Sequence, residues 1–263
     1  MIKSTSSTLS KIRTDFIGLD TVYTLADGRK TARTYLDSTA STLMMGLVHD
    51  LMEEFLDHYA NSHSVLHFSA KITTKEYKWA HERILSFLNA DPDQYTCFFT
   101  GSGTTAGINR LARVFREYRK EKDVVIVSIM EHHSNDLPHR KHSNKVVHVS
   151  LENQELGNPG SLDLEVLEKT LSLYKGRVNY VSITGISNVT GIINPIYDIA
   201  EIAHNHGAFV IIDGAQMAAH MPVKISGHSN PKRNIDAFVF SGHKTYAPGS
   251  PGVVICRKDI LTN

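Results

Sequence analysis

The feature that most constrains the fold of this sequence is an alternation of short apolar runs with amphipathic helical patterns, which begins near residue 75. The runs 208–212 and 237–240 are apolar at every position, as expected of strands that are covered on both faces. Between such runs, Ile108, Leu111 and Phe115 recur with the spacing of one helix face. This alternation predicts an α/β fold with a mostly parallel sheet.

The same patterns divide the chain into predicted elements. Residues 1–25 are rich in Ser and Thr, and we expect a loosely ordered N-terminal segment there. Residues 26–263 show no linker or repeat and are predicted to form one large domain. Ser161 is expected to cap a helix, and Gly207 to end one. The predicted strands are 97–100, 124–128, 146–151, 178–184, 208–212, 235–240 and 253–256, and the predicted helices are 77–88, one that starts after residue 105, 162–174 and 195–206.

Composition excludes several classes of function. The chain has 28 Lys and Arg against 27 Asp and Glu, a net charge of +1, which gives no support to a protein that coats nucleic acid or anionic lipid. No apolar run approaches the roughly 18 residues of a transmembrane helix, and the N-terminus has no apolar core of a secretion signal. We therefore expect a cytoplasmic protein with neither a membrane nor a nucleic-acid partner.

Polar clusters follow five of the predicted strands. The carboxyl ends of parallel strands meet at one edge of a sheet, where such sheets bind their ligands. We therefore expect these clusters to form a single site. They are GSGTT after 97–100, EHHSN after 124–128, SNVTG after 178–184, DGAQ after 208–212 and SGHK after 235–240.

The cluster GSGTT, at residues 101–105, turns a strand into a helix. Free backbone N–H groups and the helix dipole attract an anion at such a point, and glycine lets a phosphate approach closely. The cluster lacks the GxxxxGK[ST] pattern, and Ala106 stands where GxGxxG needs its third glycine. A phosphate site, as in a nucleotide-binding α/β module, and a tight turn capped by threonine are both compatible with it.

Two charged residues follow apolar strands. A carboxylate at Asp213 is costly there without a partner, and a protonated ring nitrogen, a metal, a buried arginine or the N–H groups of a following turn would each serve. Lys244 follows the apolar run 237–240. If it is partly desolvated, its amine becomes a nucleophile that forms a Schiff base; otherwise it is a solvated loop lysine.

The chain has 15 histidines and two cysteines, but neither HExxH nor paired CxxC motifs, so we predict no metal site and regard a zinc hydrolase as the weakest alternative. Most histidines are expected at the surface or in loops. Cys97 and Cys256 lie in apolar strands and are expected in the core.

A phosphate site, the strand-end Asp213 and the strand-end Lys244 together match the needs of pyridoxal phosphate (PLP). This cofactor requires a phosphate anchor, an anion for its pyridinium proton and an amine that bonds its aldehyde. His132, in the EHHSN cluster, is available to stack on the ring. The sequence therefore indicates a PLP site.

At this level of detail the chain resembles the class V aminotransferase family, the fold-type I PLP enzymes that include cysteine desulfurases and selenocysteine lyases. The resemblance runs from YLDSTA, at residues 35–40, to Gly252, and it is closest to the SufS-like branch in EHHSN and SGHK. It implies a three-layer α/β/α large domain with a mostly parallel sheet.

The resemblance also implies roles for individual residues. Lys244 would hold PLP covalently and then act as a base near the substrate Cα, Asp213 would pair with the pyridine nitrogen, and His132 would stack on the ring and relay protons. The remaining implied cofactor contacts are Gln216 and Asn188 near the phenolic oxygen and Thr105, Ser241 and His243 on the phosphate, with backbone support from Thr104.

The family implies an amino-acid substrate, a homodimer and, in a desulfurase, a sulfur acceptor protein. Its members carry a small C-terminal domain with a substrate-binding arginine and a sulfur-accepting cysteine, and we expect both to be missing from this sequence. We therefore expect a PLP-dependent transferase or lyase of the cysteine desulfurase type. The alternatives are a truncated or catalytically silent PLP-binding protein and the nucleotide-binding module.

Overall fold

The structure, a computed structural model, describes residues 3–152 and 160–261. The chain separates into two compact units. The first contains the chain up to Lys78 together with Gly242–Ser250, and the second contains Trp79–Ser241 together with the chain from Pro251 onward. This division differs from the boundary expected at residue 25.

The first unit begins with regular structure rather than the loose segment that we expected. Helix α1 spans Lys3–Thr14, and strands β1 (Val22–Thr24) and β2 (Lys30–Ala32) form an antiparallel hairpin. Helix α2 spans Gly46–Leu56. The Ser and Thr content was misleading because these residues are only modestly unfavourable in helices.

The second unit contains the sheet that the strand patterns predicted. Its elements, in chain order, are the end of α3 (Phe68–Phe87), β3 (Tyr95–Thr100), α4 (Gly103–Tyr118), β4 (Val124–Ser128), α5 (Leu137–His142), β5 (Lys145–Val149), α6 (Leu164–Leu173), β6 (Val178–Thr184), α7 (Ile196–Asn205), β7 (Phe209–Asp213), α8 (Met217–His220), β8 (Ala237–Ser241), β9 (Gly252–Arg257) and α9 (Lys258–Leu261).

Seven of these strands form one sheet in the order β3-β9-β8-β7-β6-β4-β5. The five strands β4 to β8 are parallel to one another, whereas β9 is antiparallel to both β8 and β3. The prediction of an α/β fold with a mostly parallel sheet is thus confirmed.

The strands bury side chains on both faces of the sheet. Along β7, Val210 and Ile212 belong to one hydrophobic cluster, and Phe209 and Ile211 to the other. The first cluster contains residues of α6 and α7, and the second contains the apolar face of α4. Two helical layers therefore enclose the sheet, which is the α/β/α arrangement that the resemblance implied.

The cap of α6 differs from the prediction. Asp163, not Ser161, caps this helix, because its carboxylate accepts a hydrogen bond from the Val166 N–H at 3.0 Å. Leu162 forms an antiparallel bridge with Leu151, which keeps the chain extended past Ser161.

In the described residues, no helix is long and apolar enough to span a membrane.

Helix α4 packs unusually closely on the sheet at Gly107. A Cβ atom at this position would lie 2.5 Å from Cγ1 of Val239 and 2.8 Å from Cγ2 of Val254. Real carbon–carbon contacts are near 3.5–4.0 Å, so only glycine fits without displacing β8 or β9. The close approach places the start of α4 directly above the end of β8.

Gly107→Ala is therefore expected to destabilise the chain, although alanine favours helices by about 1 kcal/mol over glycine. Overpacking a core costs about 1–3 kcal/mol, so after the helix-propensity gain the net loss in the free energy of unfolding should be up to about 2 kcal/mol. Urea unfolding measures it. Gly101→Ala is the matched control, because a Cβ there meets nothing within 4 Å. Equal stability of the two variants would contradict the packing argument.

Candidate functional site

Asp213 is the last residue of β7, at the carboxyl edge of the sheet. Its register places it between Thr184 of β6 and Val239 of β8. The side chain is buried, with 3% of the residue exposed, and Oδ1 accepts a hydrogen bond from the Ala215 N–H at 2.9 Å. One of the alternatives for Asp213, a bond to the following turn, is therefore present in the structure. A buried carboxylate also suits a cationic ligand group.

The start of α4 is attached to the end of β8 by side-chain capping. The Ser241 hydroxyl oxygen accepts a hydrogen bond from the Thr104 N–H at 2.8 Å and lies 2.8 Å from the Thr104 hydroxyl. Both residues are buried. Gly101 and Ser102, just before the helix, are exposed, and Ser102 makes no side-chain capping bond. The first turn is thus held rigidly, while its leading edge stays accessible to an anion.

Thr105 connects this helix start to the EHHSN cluster. Its hydroxyl lies 2.8 Å from the Ser134 hydroxyl, which in turn lies 2.9 Å from Nδ1 of His132. The Ser134 N–H also donates to Nδ1, at 3.1 Å. Because Nδ1 accepts a hydrogen bond from an N–H group, the neutral His132 ring carries its proton on Nε2. The exposed imidazole therefore has a defined tautomer and orientation.

Two further predicted residues lie at the same edge. Gln216 is buried at the residue that precedes α8. Asn188 is half-buried in the turn after β6, and that turn is ordered by the Ser187 hydroxyl, which accepts hydrogen bonds from the Val189 and Thr190 N–H groups. The second unit thus brings six predicted positions to one sheet edge, together with His132.

Lys244 and His243 belong to the first unit. They form part of a single 3-10 turn, Gly242–Lys244, that continues directly from the last residue of β8. The Thr245 hydroxyl donates to the Gly242 carbonyl at 2.9 Å and closes this turn. Burial lowers the pKa of His243, and the adjacent Lys244 charge lowers it further. His243 therefore favours its neutral form.

Glu131 is a site residue that the sequence analysis did not single out. Its carboxyl accepts hydrogen bonds from Nδ2 of Asn135, at 2.6 Å, and from the Ser128 hydroxyl. Burial raises the pKa of Glu131 to about 8, and the charge of Asp213 contributes to that rise. Glu131 therefore favours its protonated form at neutral pH, which leaves room for a negative charge on the neighbouring Asp213.

A buried network continues from Asn135. Its Oδ1 accepts from the Ser182 hydroxyl at 2.6 Å and lies 3.2 Å from Nε2 of His139, whose Nδ1 lies 2.9 Å from the Tyr180 hydroxyl. His139 is fully buried, contrary to the general expectation for histidines, and burial lowers its pKa to about 4. The four-residue spacing of Glu131, Asn135 and His139 was the one sequence signal that could have revealed this network.

The two cysteines lie in the core, as expected. Cys97 is in β3 and Cys256 in β9, and both are free and buried. Burial raises the pKa of Cys97 to about 12 and that of Cys256 further still. In the described part of the chain, no group of three or more His, Cys, Asp or Glu side chains is arranged to hold a metal ion.

Comparison with known families defines the class of this protein. The class-V aminotransferase family matches residues 34–263, which is most of the chain. The chain therefore belongs to the class-V aminotransferase family, as its motifs predicted.

Within that family, the chain is similar to cysteine desulfurases. It is 35% identical over 226 residues to a probable cysteine desulfurase of Halalkalibacterium halodurans, a match that covers 85% of this chain and 53% of the relative. It is 34% identical over 229 residues to a cysteine desulfurase of Shigella sonnei, with 86% and 54% covered. The chain thus spans about half the length of the curated relatives it matches.

Solved structures show the same similarity. The apo cysteine desulfurase of Thermococcus onnurineus superimposes with a TM-score of 0.77 at 26% identity, over 95% of this chain and 57% of that one. An Escherichia coli cysteine desulfurase gives a TM-score of 0.72 at 29% identity, over 96% and 58%. These matches support the fold and the family.

Glu131→Gln is expected to flatten the pH dependence of stability. The pKa of Glu131 rises from its usual 4.5 to about 8 on folding, so between these values the folded chain holds a proton that the unfolded chain has lost. The free energy of unfolding therefore falls as pH rises through this window, by up to about 1.4 kcal/mol per pH unit from this group. Gln keeps the hydrogen-bonding shape and removes the titration.

Urea unfolding at pH 5, 6.5 and 8 measures the effect. Glu168→Gln, at an exposed position on α6, is the matched control and should retain the wild-type slope. Identical slopes for wild type and Glu131→Gln would show that Glu131 is ionised in the folded chain at neutral pH.

Proposed function

We propose that this chain is the PLP-binding part of an enzyme of the cysteine desulfurase type, which acts on an amino acid. The observation that carries the proposal is the pairing, on one sheet edge, of the buried Asp213 carboxylate with the accessible start of α4 held by Ser241. A buried anion and a helix start suit the two charged ends of PLP. Membership of the class-V family supports the same ligand.

The residues present fit this cofactor in their chemistry. Asp213 would hold the proton on the pyridine nitrogen, and the start of α4 with Thr105 would bind the phosphate. Lys244 would bond the aldehyde carbon, and His132 would cover one face of the ring. The remaining contacts that we propose are Gln216 and Asn188 toward the phenolic oxygen and Ser241, His243 and the Thr104 backbone toward the phosphate.

Bound PLP supplies an electron sink that makes the substrate Cα–H acidic. The protein contributes the proton transfers. The Lys244 amine would accept the proton from the substrate Cα. Because Glu131 favours its protonated form, Asp213 can remain the anion that the pyridinium requires. His132 presents Nε2–H as a donor.

Desulfuration also needs a thiol that accepts sulfur from the substrate. Neither cysteine of this chain suits that role, because both thiols are buried in strands and their pKa values are raised, and the thiolate is the attacking form. We therefore propose that the sulfur acceptor is a thiol outside the described residues, on a partner protein or another segment. We further propose that the chain forms a homodimer and that it resides in the reducing cytoplasm.

The cofactor site is tested by adding PLP to the purified chain, reducing with borohydride and mapping the labelled peptide. We expect a reducible absorption band and a label on Lys244. The label should be absent in Lys244→Ala and unchanged in Lys224→Ala, which removes an exposed lysine. A label on another lysine would contradict the assignment of Lys244. ATP or NAD binding without PLP binding would favour a nucleotide-binding module instead.

The reaction is tested by following alanine formation from cysteine in the PLP-loaded chain. A thiol that takes the sulfur as a persulfide leaves alanine as the second product, so we expect alanine only when a small thiol such as dithiothreitol is present. Lys244→Ala should reduce the rate at least 100-fold, the usual contribution of a general base. Lys224→Ala is again the control. A chain that binds PLP on Lys244 but forms no alanine would be a catalytically silent PLP protein.

A further inference from the structure

The turn that carries Lys244 is bound by a residue that lies about 200 positions earlier in the chain. The His243 carbonyl oxygen accepts hydrogen bonds from the Thr42 N–H and from the Thr42 hydroxyl, each at 3.0 Å. The Ser41 hydroxyl donates to the same oxygen at 3.4 Å. All of these residues belong to the first unit, and Thr42 is buried, with 4% exposed.

The Thr42 hydroxyl also binds the other side of the turn. Its oxygen accepts a hydrogen bond from the Tyr246 N–H at 2.8 Å. One hydroxyl group therefore joins the peptide groups on both sides of the pair Lys244–Thr245, using its proton for one and its lone pair for the other.

Tyr246 has a backbone conformation that its large side chain disfavours. Its φ angle is +65°, in the left-handed region that large side chains rarely adopt. Such a conformation persists only where the surroundings impose it, and it concentrates at functional sites. Here the Tyr246 carbonyl accepts from the Met45 N–H at 3.2 Å, and its ring lies 5.5 Å from that of Phe16.

We propose that Thr42 is a positioning residue for Lys244, which it holds by bridging the His243 carbonyl and the Tyr246 amide. This proposal rests on the proposed function of Lys244. With the backbone held on both sides, the lysine Cα has little freedom, and only the side-chain torsions remain to be ordered when the amine reacts. The segment that contains Ser41 and Thr42 thereby helps to position the reactive lysine.

The test compares Thr42→Val, which keeps the shape but removes the hydroxyl, with Thr42→Ser, which keeps the hydroxyl. Thr31→Val is the matched control, because Thr31 lies in β2 and is exposed. Two rates are measured well below the melting temperature. They are tryptic cleavage of the Lys244–Thr245 bond in the PLP-free chain, and formation of the reducible PLP adduct on Lys244.

In Thr42→Val we expect cleavage at Lys244–Thr245 to accelerate about tenfold and adduct formation to slow about tenfold, the effect of losing one or two hydrogen bonds. Thr42→Ser should restore both rates to within about threefold of wild type, and Thr31→Val should match wild type. Where Thr42→Val does not fold, Thr42→Ala removes the same hydroxyl without placing a methyl group against the Tyr246 amide.

Two results would overturn the proposal. Unchanged cleavage in the valine variant would show that Thr42 does not hold the turn. Faster cleavage with unchanged adduct formation would show that the turn is held, but that Lys244 does not depend on it. Absence of an adduct on Lys244 in the wild-type chain is a separate outcome, which rejects the proposed function and with it the role of Thr42.

Discussion

The close packing of α4 on the sheet at Gly107 is the constraint on which the candidate site depends. Because no Cβ separates the helix from β8 and β9, the first turn of α4 reaches the end of β8, and the Ser241 hydroxyl can cap the Thr104 N–H. That contact holds the helix start beside the strand ends that carry the polar clusters. A larger residue at Gly107 would displace the helix and separate its anion-attracting end from the buried Asp213.

Electrostatics at this edge follow from the different hydrogen-bond partners of two neighbouring acids, Asp213 and Glu131. Glu131 is held by Ser128 and Asn135, and burial raises its pKa to about 8. A protonated Glu131 destabilises the charged form of Asp213 less than an ionised Glu131 would. The strand-end carboxylate can therefore stay charged. The network through Asn135 and His139 keeps Glu131 in place, and its members are hidden within the core rather than displayed at the surface. The charge at this edge therefore depends on polar contacts beneath it.

Much of the fold was predictable because strands that are buried on both faces show in the sequence as continuous apolar runs. The apolar runs located the strands to within two or three residues, and the expected topology followed from their alternation with helices. The errors have local causes. The prediction that Ser161 caps α6 was wrong because the Leu151–Leu162 bridge keeps the chain extended past Ser161. No local sequence pattern shows that these two leucines pair. Helix α1 was missed because Ser and Thr content was given more weight than it deserves. His139 is an exception to the expectation that most histidines lie at the surface or in loops, and the sequence did not reveal it because its partner Tyr180 lies on β6, about forty residues away.

By itself the sequence determined the class of fold and which residue types follow which strands, because apolar periodicity and strand-end polarity are local properties of the chain. It also determined the family, because ordered motifs at family spacing are specific. Only the tertiary structure decided how those residues are held. The tautomer of His132, the proton on Glu131, the cap on α4 and the bridge from Thr42 across the lysine turn all depend on contacts between distant segments. Hydrogen bonding and burial set these states, and both exist only once the chain has folded.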